Sequence, residues 1–197
     1  MHPNFKPVKD EFGAEVALEL IKRYKFTPEE LDKLRISFHN FPSLTEGGKC
    51  NTARNIYTNI IDCITIKVNK GIIGDLEEEV KGCKNKLLFI LCHELQHARQ
   101  GFHNRLTRHP KIDGILYWDG AEYKFDVDEI EKNGANDEYR SLPWEKDANE
   151  VGLRISNALV DAGYAQEHND DDYRKEFFKV MDSIMADVLK NKERAAA

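Results

Sequence analysis

The stretch His93-Glu94-Leu95-Gln96-His97 constrains this chain more than any other. Two histidines four residues apart on a helix stack one turn above the other, and both imidazoles can then reach one ion. The surrounding residues favour that helix. Leu88, Leu91, Cys92 and Leu95 recur at the spacing of a buried helical face. The helix is expected to begin near Asn85, after a break at Gly82, and to run out by Gly101. Imidazole nitrogen is a preferred ligand of zinc, an ion without redox chemistry. Glu94, between the two histidines, is placed to take a proton from a metal-activated water and to hand one to a leaving group. The pattern therefore names a metal and a base together. The plain alternative is a pair of surface histidines on an ordinary amphipathic helix.

Two histidines do not close a catalytic zinc site, which takes three protein ligands and leaves a fourth position for water. Glu145 is the first candidate for the third. It opens a second long helix in Pro143-Trp144-Glu145-Lys146-Asp147-Ala148-Asn149, where a first-turn carboxylate can point across at a facing helix. The same glutamate could instead serve the helix dipole. His103 falls where the metzincin pattern H-E-x-x-H-x-x-G-x-x-H has its third histidine, yet Gln100 stands where that pattern needs glycine. No Met-turn follows, because Met181 and Met185 sit in a helical stripe. His109 is a further and weaker candidate. Cys92, beside His93, reads as a core cysteine rather than a ligand.

His93-Glu94-Leu95-Gln96-His97 followed by Glu145-Lys146-Asp147-Ala148-Asn149 resembles the ImmA/IrrE-type, gluzincin-like zincins, in which H-E-x-x-H precedes a helix bearing E-x-x-A-N. The resemblance spans roughly residues 56 to 160. It implies zinc on His93, His97 and Glu145, with Glu94 as general base. It also implies a small mixed sheet against the active-site helix and a second helix supplying the glutamate. Gly152 stands where such proteins carry a small residue, whereas Leu153 to Leu159 lacks their usual leucine-methionine-proline ending.

The rest of the chain is read by periodicity and punctuation. Ala17, Leu20, Ile21 and Tyr24 predict a helix over 14–24. Thr27-Pro28-Glu29-Glu30 is a capping box opening another, with Leu31, Leu34 and Phe38 as its inward face. Residues 41–50 read as a loop. Ile64, Ile66 and Val68 alternate with polar residues as in a half-buried strand that Asn69-Lys70-Gly71 ends, and a short strand is expected at 56–60. Residues 74–80 suggest a turn of helix. Ile115 to Phe125 places two β-prone runs around Asp119-Gly120, a hairpin that could overhang the cleft as a lip. Ser141 is the expected cap of the helix carrying Trp144, Ala148, Val151, Ile155 and Leu159, which ends before Gly163. A last helix is expected over 171–190. The fold class is thus α+β, a mostly helical domain with a small antiparallel or mixed sheet packed on the metal helix. The chain, 1–197, reads as one domain: a helical region 1–50, a zincin-like core 51–165 and a C-terminal helix 166–197.

Composition closes off other classes. The net charge of −6 falls in acidic clusters with no basic patch to match, which disfavours nucleic acid. No apolar run reaches membrane-spanning length, and Met1-His2-Pro3-Asn4-Phe5-Lys6 has no signal-peptide core, so a cytoplasmic location is expected. The 4 cysteines, Cys50, Cys63, Cys83 and Cys92, are irregularly spaced and read as reduced, packed thiols. The expected activity is hydrolysis of a peptide bond in a protein or peptide substrate by a zinc-activated water. Tyr139, His103, His109 and Tyr117 are candidates for stabilising the oxyanion. By analogy with other zincins, Cys63 to Asn69 would be the strand on which substrate lies. The alternative from another class is a non-catalytic zinc-containing binding or regulatory protein, in which Glu94 would be idle.

Overall fold

The structure is a computed structural model, and it describes residues 1–40, 47–55, 57–71, 82–109, 114–124 and 137–167. Everything below concerns those residues. The helix expected at 74–80 and the one expected at 171–190 lie outside them.

The N-terminal region forms three helices, α1 (Lys6–Phe12), α2 (Ala14–Tyr24) and α3 (Pro28–Lys33). Val16, Ala17, Leu20 and Tyr24 of α2 turn inward together, as helical spacing requires. At α3 the capping box is complete: the Glu30 amide donates to the Thr27 hydroxyl oxygen (3.2 Å) and the Thr27 amide to the Glu30 carboxylate (2.7 Å). The helix then stops early. Leu34 is extended (φ −84°, ψ 136°) and begins strand β1 (Leu34–His39), so Leu34 and Phe38 do not share a helical face with Leu31. The run Leu34, Ile36, Phe38 fits period two as well as Leu31, Leu34, Phe38 fits a helix. Strand pairing decides between them.

Strand β2 (Gly48–Arg54) and strand β3 (Ile61–Asn69) complete a three-stranded sheet in the order β1-β3-β2. β3 is parallel to β1 and antiparallel to β2, so the sheet is mixed. Ile64, Ile66 and Val68 of β3 are buried, as their alternation predicts. The other expectations here need correction. The end of the supposed loop at 41–50 is the start of β2. Residues 57–60 belong to the turn after β2 rather than to a strand, held by Asn55, whose side-chain oxygen accepts from the amides of Tyr57 (2.9 Å) and Thr58 (3.0 Å). β2 hides from a periodicity search because its sequence, GKCNTAR, is polar and mostly exposed.

Helix α4 (Lys86–Phe102) packs on this sheet. Asn85 caps it by accepting from the Leu88 amide at 2.9 Å. Leu88, Leu91, Cys92, Leu95 and Ala98 are fully buried, each leucine contributing about 1.5–3 kcal/mol by leaving water. A second sheet follows, antiparallel and in the order β4 (Leu106–Arg108), β5 (Ile115–Trp118), β6 (Ala121–Lys124). Its hairpin turns at Asp119 (φ 47°) and Gly120 (φ 87°), both left-handed, as an Asp-Gly turn of this kind demands. After a short helix α5 (Asp137–Arg140) comes α6 (Pro143–Asp161). Leu142, not Ser141, is the residue that precedes its first turn, and no side chain caps it. Proline at the first position fixes the helical start instead.

α6 lies against α4. Gly152 allows the approach: a Cβ there would sit 3.0 Å from the His93 amide nitrogen and 3.2 Å from its Cα. Buried side chains from Phe5 on the N-terminal side to Leu159 on α6 form one apolar cluster, with the mixed sheet and α4 at its middle. The architecture is α+β, with the motif helix packed against strands, and no helix among the described residues is long and apolar enough to cross a membrane.

Candidate metal centre

α4 presents His93 and His97 one turn apart, and α6 brings Glu145 to meet them from its first turn. The two Nε2 atoms lie 2.9 Å from each other. Glu145 Oε2 is 3.4 Å from His93 Nε2, and its Oε1 is 3.4 Å from His97 Nε2. Ligand atoms around a tetrahedral ion with bonds of about 2.0–2.1 Å stand about 3.3 Å apart, so this triangle has the dimensions of a metal site. Among the described residues, these are the three His, Cys, Asp or Glu side chains that converge closely enough to hold an ion.

The electrostatics express the same convergence. Burial alone would lower the His97 imidazole, but the charges of Glu145 and Glu94 and hydrogen bonds to Glu145 and Gln100 push it up to about 9. For Glu145, burial would raise the carboxyl, and the two imidazoles outweigh it and hold it well below the usual carboxylate range. Three groups crowded into a buried corner thus stabilise one another by sharing protons. A cation would take the place of those protons.

Outer contacts aim the imidazoles. The Nδ1–H of His93 donates to Asn149 Oδ1 at 2.8 Å, and the Nδ1–H of His97 to Gln100 Oε1 at 2.9 Å. A metal that takes the place of the protons at Nε2 would leave each ring's remaining proton on Nδ1, facing these acceptors, the usual division of labour in a metal-binding histidine. Sequence reading gave neither amide a role. The signal was available in the spacing, since Asn149 follows Glu145 by four residues and Gln100 follows His97 by three.

Glu94 stands outside the triangle. It is buried and faces β2, where Gly48 makes room for it: a Cβ on Gly48 would lie 2.7 Å from Glu94 Oε1. A cleft of ≈790 Å³ opens over this corner, walled by α4 and α6 on one side and by β2, β4 and β5 on the other. The hairpin expected to act as a lip does border it, through Leu116 and Tyr117.

Other expectations separate here. His103 ends α4, is exposed, and lies 3.9 Å from Glu30, outside the cleft and the cluster. His109 and Tyr117 line the cleft, with ring centroids 6.3 Å apart, and His109 is not one of the clustered ligands. Tyr139 does come close. Its hydroxyl donates to Glu145, and burial together with that carboxylate raises the phenol far above its ordinary value. Cys92 faces away, buried near Tyr24 and Cys83, whereas Cys50 lines the cleft beside Glu94. Cys63 to Asn69 cannot serve as an open shelf, because it belongs to β3, hydrogen-bonded on both sides. The edge strand next to α4 is β2.

Comparison of the chain with protein families, with curated proteins and with solved structures gives no match.

Proposed function

We propose that this chain is a zinc-dependent metallopeptidase of the zincin type. The observation that carries the reading is the meeting of His93, His97 and Glu145 at one point, with Glu94 beside them at the floor of an open cleft. Two imidazoles and a carboxylate suit zinc, and the three ligands that converge among the described residues are the number a catalytic site uses. Zinc held there would supply a Lewis acid that polarises a carbonyl and makes water a nucleophile near neutral pH.

The chain's own groups do the rest. Glu94 accepts the proton of the attacking water and delivers it to the departing amine. It is buried on the cleft side of α4, in the space that the missing Cβ of Gly48 leaves open. Tyr139, kept protonated, donates a hydrogen bond to the oxyanion as the carbonyl becomes tetrahedral. The free edge of β2 accepts the peptide backbone as an added strand, so that main-chain hydrogen bonds position the scissile bond.

Replacing Glu94 by Gln removes the base while leaving the ligands in place. We expect metal content equal to that of the parent and hydrolysis of an unfolded protein such as casein slower by about 10²–10⁴-fold. Undiminished cleavage by E94Q would overturn the mechanism.

A further inference from the structure

We propose that Asp147 is a positioning residue of the metal centre, acting through Gln100 to keep the His97 proton on Nδ1 and its Nε2 open to the metal. Gln100 meets His97 Nδ1 at 2.9 Å, and a glutamine can turn either its oxygen or its NH₂ toward that nitrogen. The oxygen accepts from Nδ1–H and leaves Nε2 with a lone pair. The NH₂ would donate to Nδ1, put the ring proton on Nε2, and set it against the metal.

The far end of Gln100 decides. Its Nε2 lies 2.8 Å from Asp147 Oδ2 and 3.0 Å from the Trp144 carbonyl oxygen. A carboxylate and a carbonyl only accept, so the NH₂ must be at that end and the oxygen at the His97 end. The amide of Gln96 donates to the same Asp147 oxygen at 2.7 Å, and Arg105 approaches the other oxygen at 3.5 Å. Gln100 is almost fully buried, so solvent does not compete for its amide. Asp147 stands two residues after Glu145 on the same helix. One turn of α6 thus supplies a ligand to the metal and the acceptor that orients a ligand on α4.

The proposal rests on His93, His97 and Glu145 being zinc ligands, and the test separates the two. Zinc affinity is measured by competition with a chromophoric chelator in the parent, D147L, D147N, Q100L and the double variant D147L/Q100L. Loss of such an outer partner weakens metal binding by about 10–100-fold. We expect that loss in Q100L. D147L should lose about tenfold, the low end of that range, because the Trp144 carbonyl still accepts from Gln100. The double variant should bind no more weakly than Q100L, because Asp147 acts through Gln100. D147N keeps an acceptor oxygen for both glutamines and should bind nearly as the parent does. A residue that merely packed the helices together would show losses that multiply in the double variant, and that result would overturn the proposal. So would parental affinity in D147L or Q100L, or a loss in D147N equal to that in D147L. Should D147L fail to fold, Q100L and D147N carry the test, the first losing affinity and the second keeping it. A parent that binds no zinc would instead break the underlying reading of the ligands.

Discussion

On one wall of the cleft, α4 and α6 meet through buried side chains and a glycine contact, and every imidazole that faces the triangle has a hydrogen-bonded partner behind it. On the other wall, β2 is polar, mostly exposed and, among the described residues, paired along one edge alone. The helical wall has one arrangement available to it, because its groups are packed and mutually oriented. The strand wall offers unpaired backbone and a row of side chains to whatever enters. The contrast teaches where each part of the proposed activity resides: metal and proton chemistry on the packed helices, recognition along the open edge.

Two glycines, one on each wall, sharpen that contrast. Gly48→Ala on β2 would press a methyl group into the Glu94 carboxylate, the far end of a flexible side chain that can move aside. We expect the fold and the metal to persist while hydrolysis falls about 10²-fold, the cost of displacing a reacting group by about 1 Å. Metal analysis beside a rate assay checks this, and a variant as active as the parent would show that the placement of Glu94 is unimportant. Gly152→Ala on α6 meets backbone, which cannot give way so easily. It should cost about 1–3 kcal/mol of stability and weaken metal binding as the helices separate, seen as a lower midpoint in denaturant. If Gly152→Ala left both unchanged, the helical wall would be looser than described.

The smallest effect concerns protons. In chelator-treated protein the His97 imidazole is raised from its ordinary 6.5 to about 9, so its contribution to stability is complete below pH 6.5 and fades as pH climbs through about 9. Glu145 is depressed below its ordinary 4.5, so its contribution is complete above that pH and fades in acid. The metal-free chain should therefore be most stable between about pH 4.5 and 6.5 as far as this pair is concerned, and its melting temperature should drop toward pH 9. Denaturation scans across that range measure it, and a flat profile would contradict the charge coupling.

The two walls also differ in how far the sequence reveals them. The motif helix was readable because Leu88, Leu91 and Leu95 repeat at helical spacing around two histidines that need a helix. The helix carrying Glu145 was readable because Pro143 starts it and Trp144, Ala148, Ile155 and Leu159 repeat along it. The β5–β6 hairpin was readable through Asp119-Gly120. By contrast, β2 has no buried alternation to detect, and β4 is three residues long. β1 carries apolar residues whose spacing satisfies helix and strand alike until β3 pairs with it. The convergence of Glu145 on His93 and His97 was legible as a motif. The amides behind them were marked by spacing alone: Gln100 reaches His97 within one helix, whereas the contact of His93 with Asn149 crosses two helices and depends on packing that Gly152 permits.

The central claim is that the helical wall holds a zinc ion on His93, His97 and Glu145. Zinc per chain, determined in the purified parent, in Glu145→Ala and in His103→Ala, tests it most directly. The account predicts near one zinc in the parent and in His103→Ala, and little or none in Glu145→Ala. Zinc lost in His103→Ala and kept in Glu145→Ala, or absent from the parent, would contradict it.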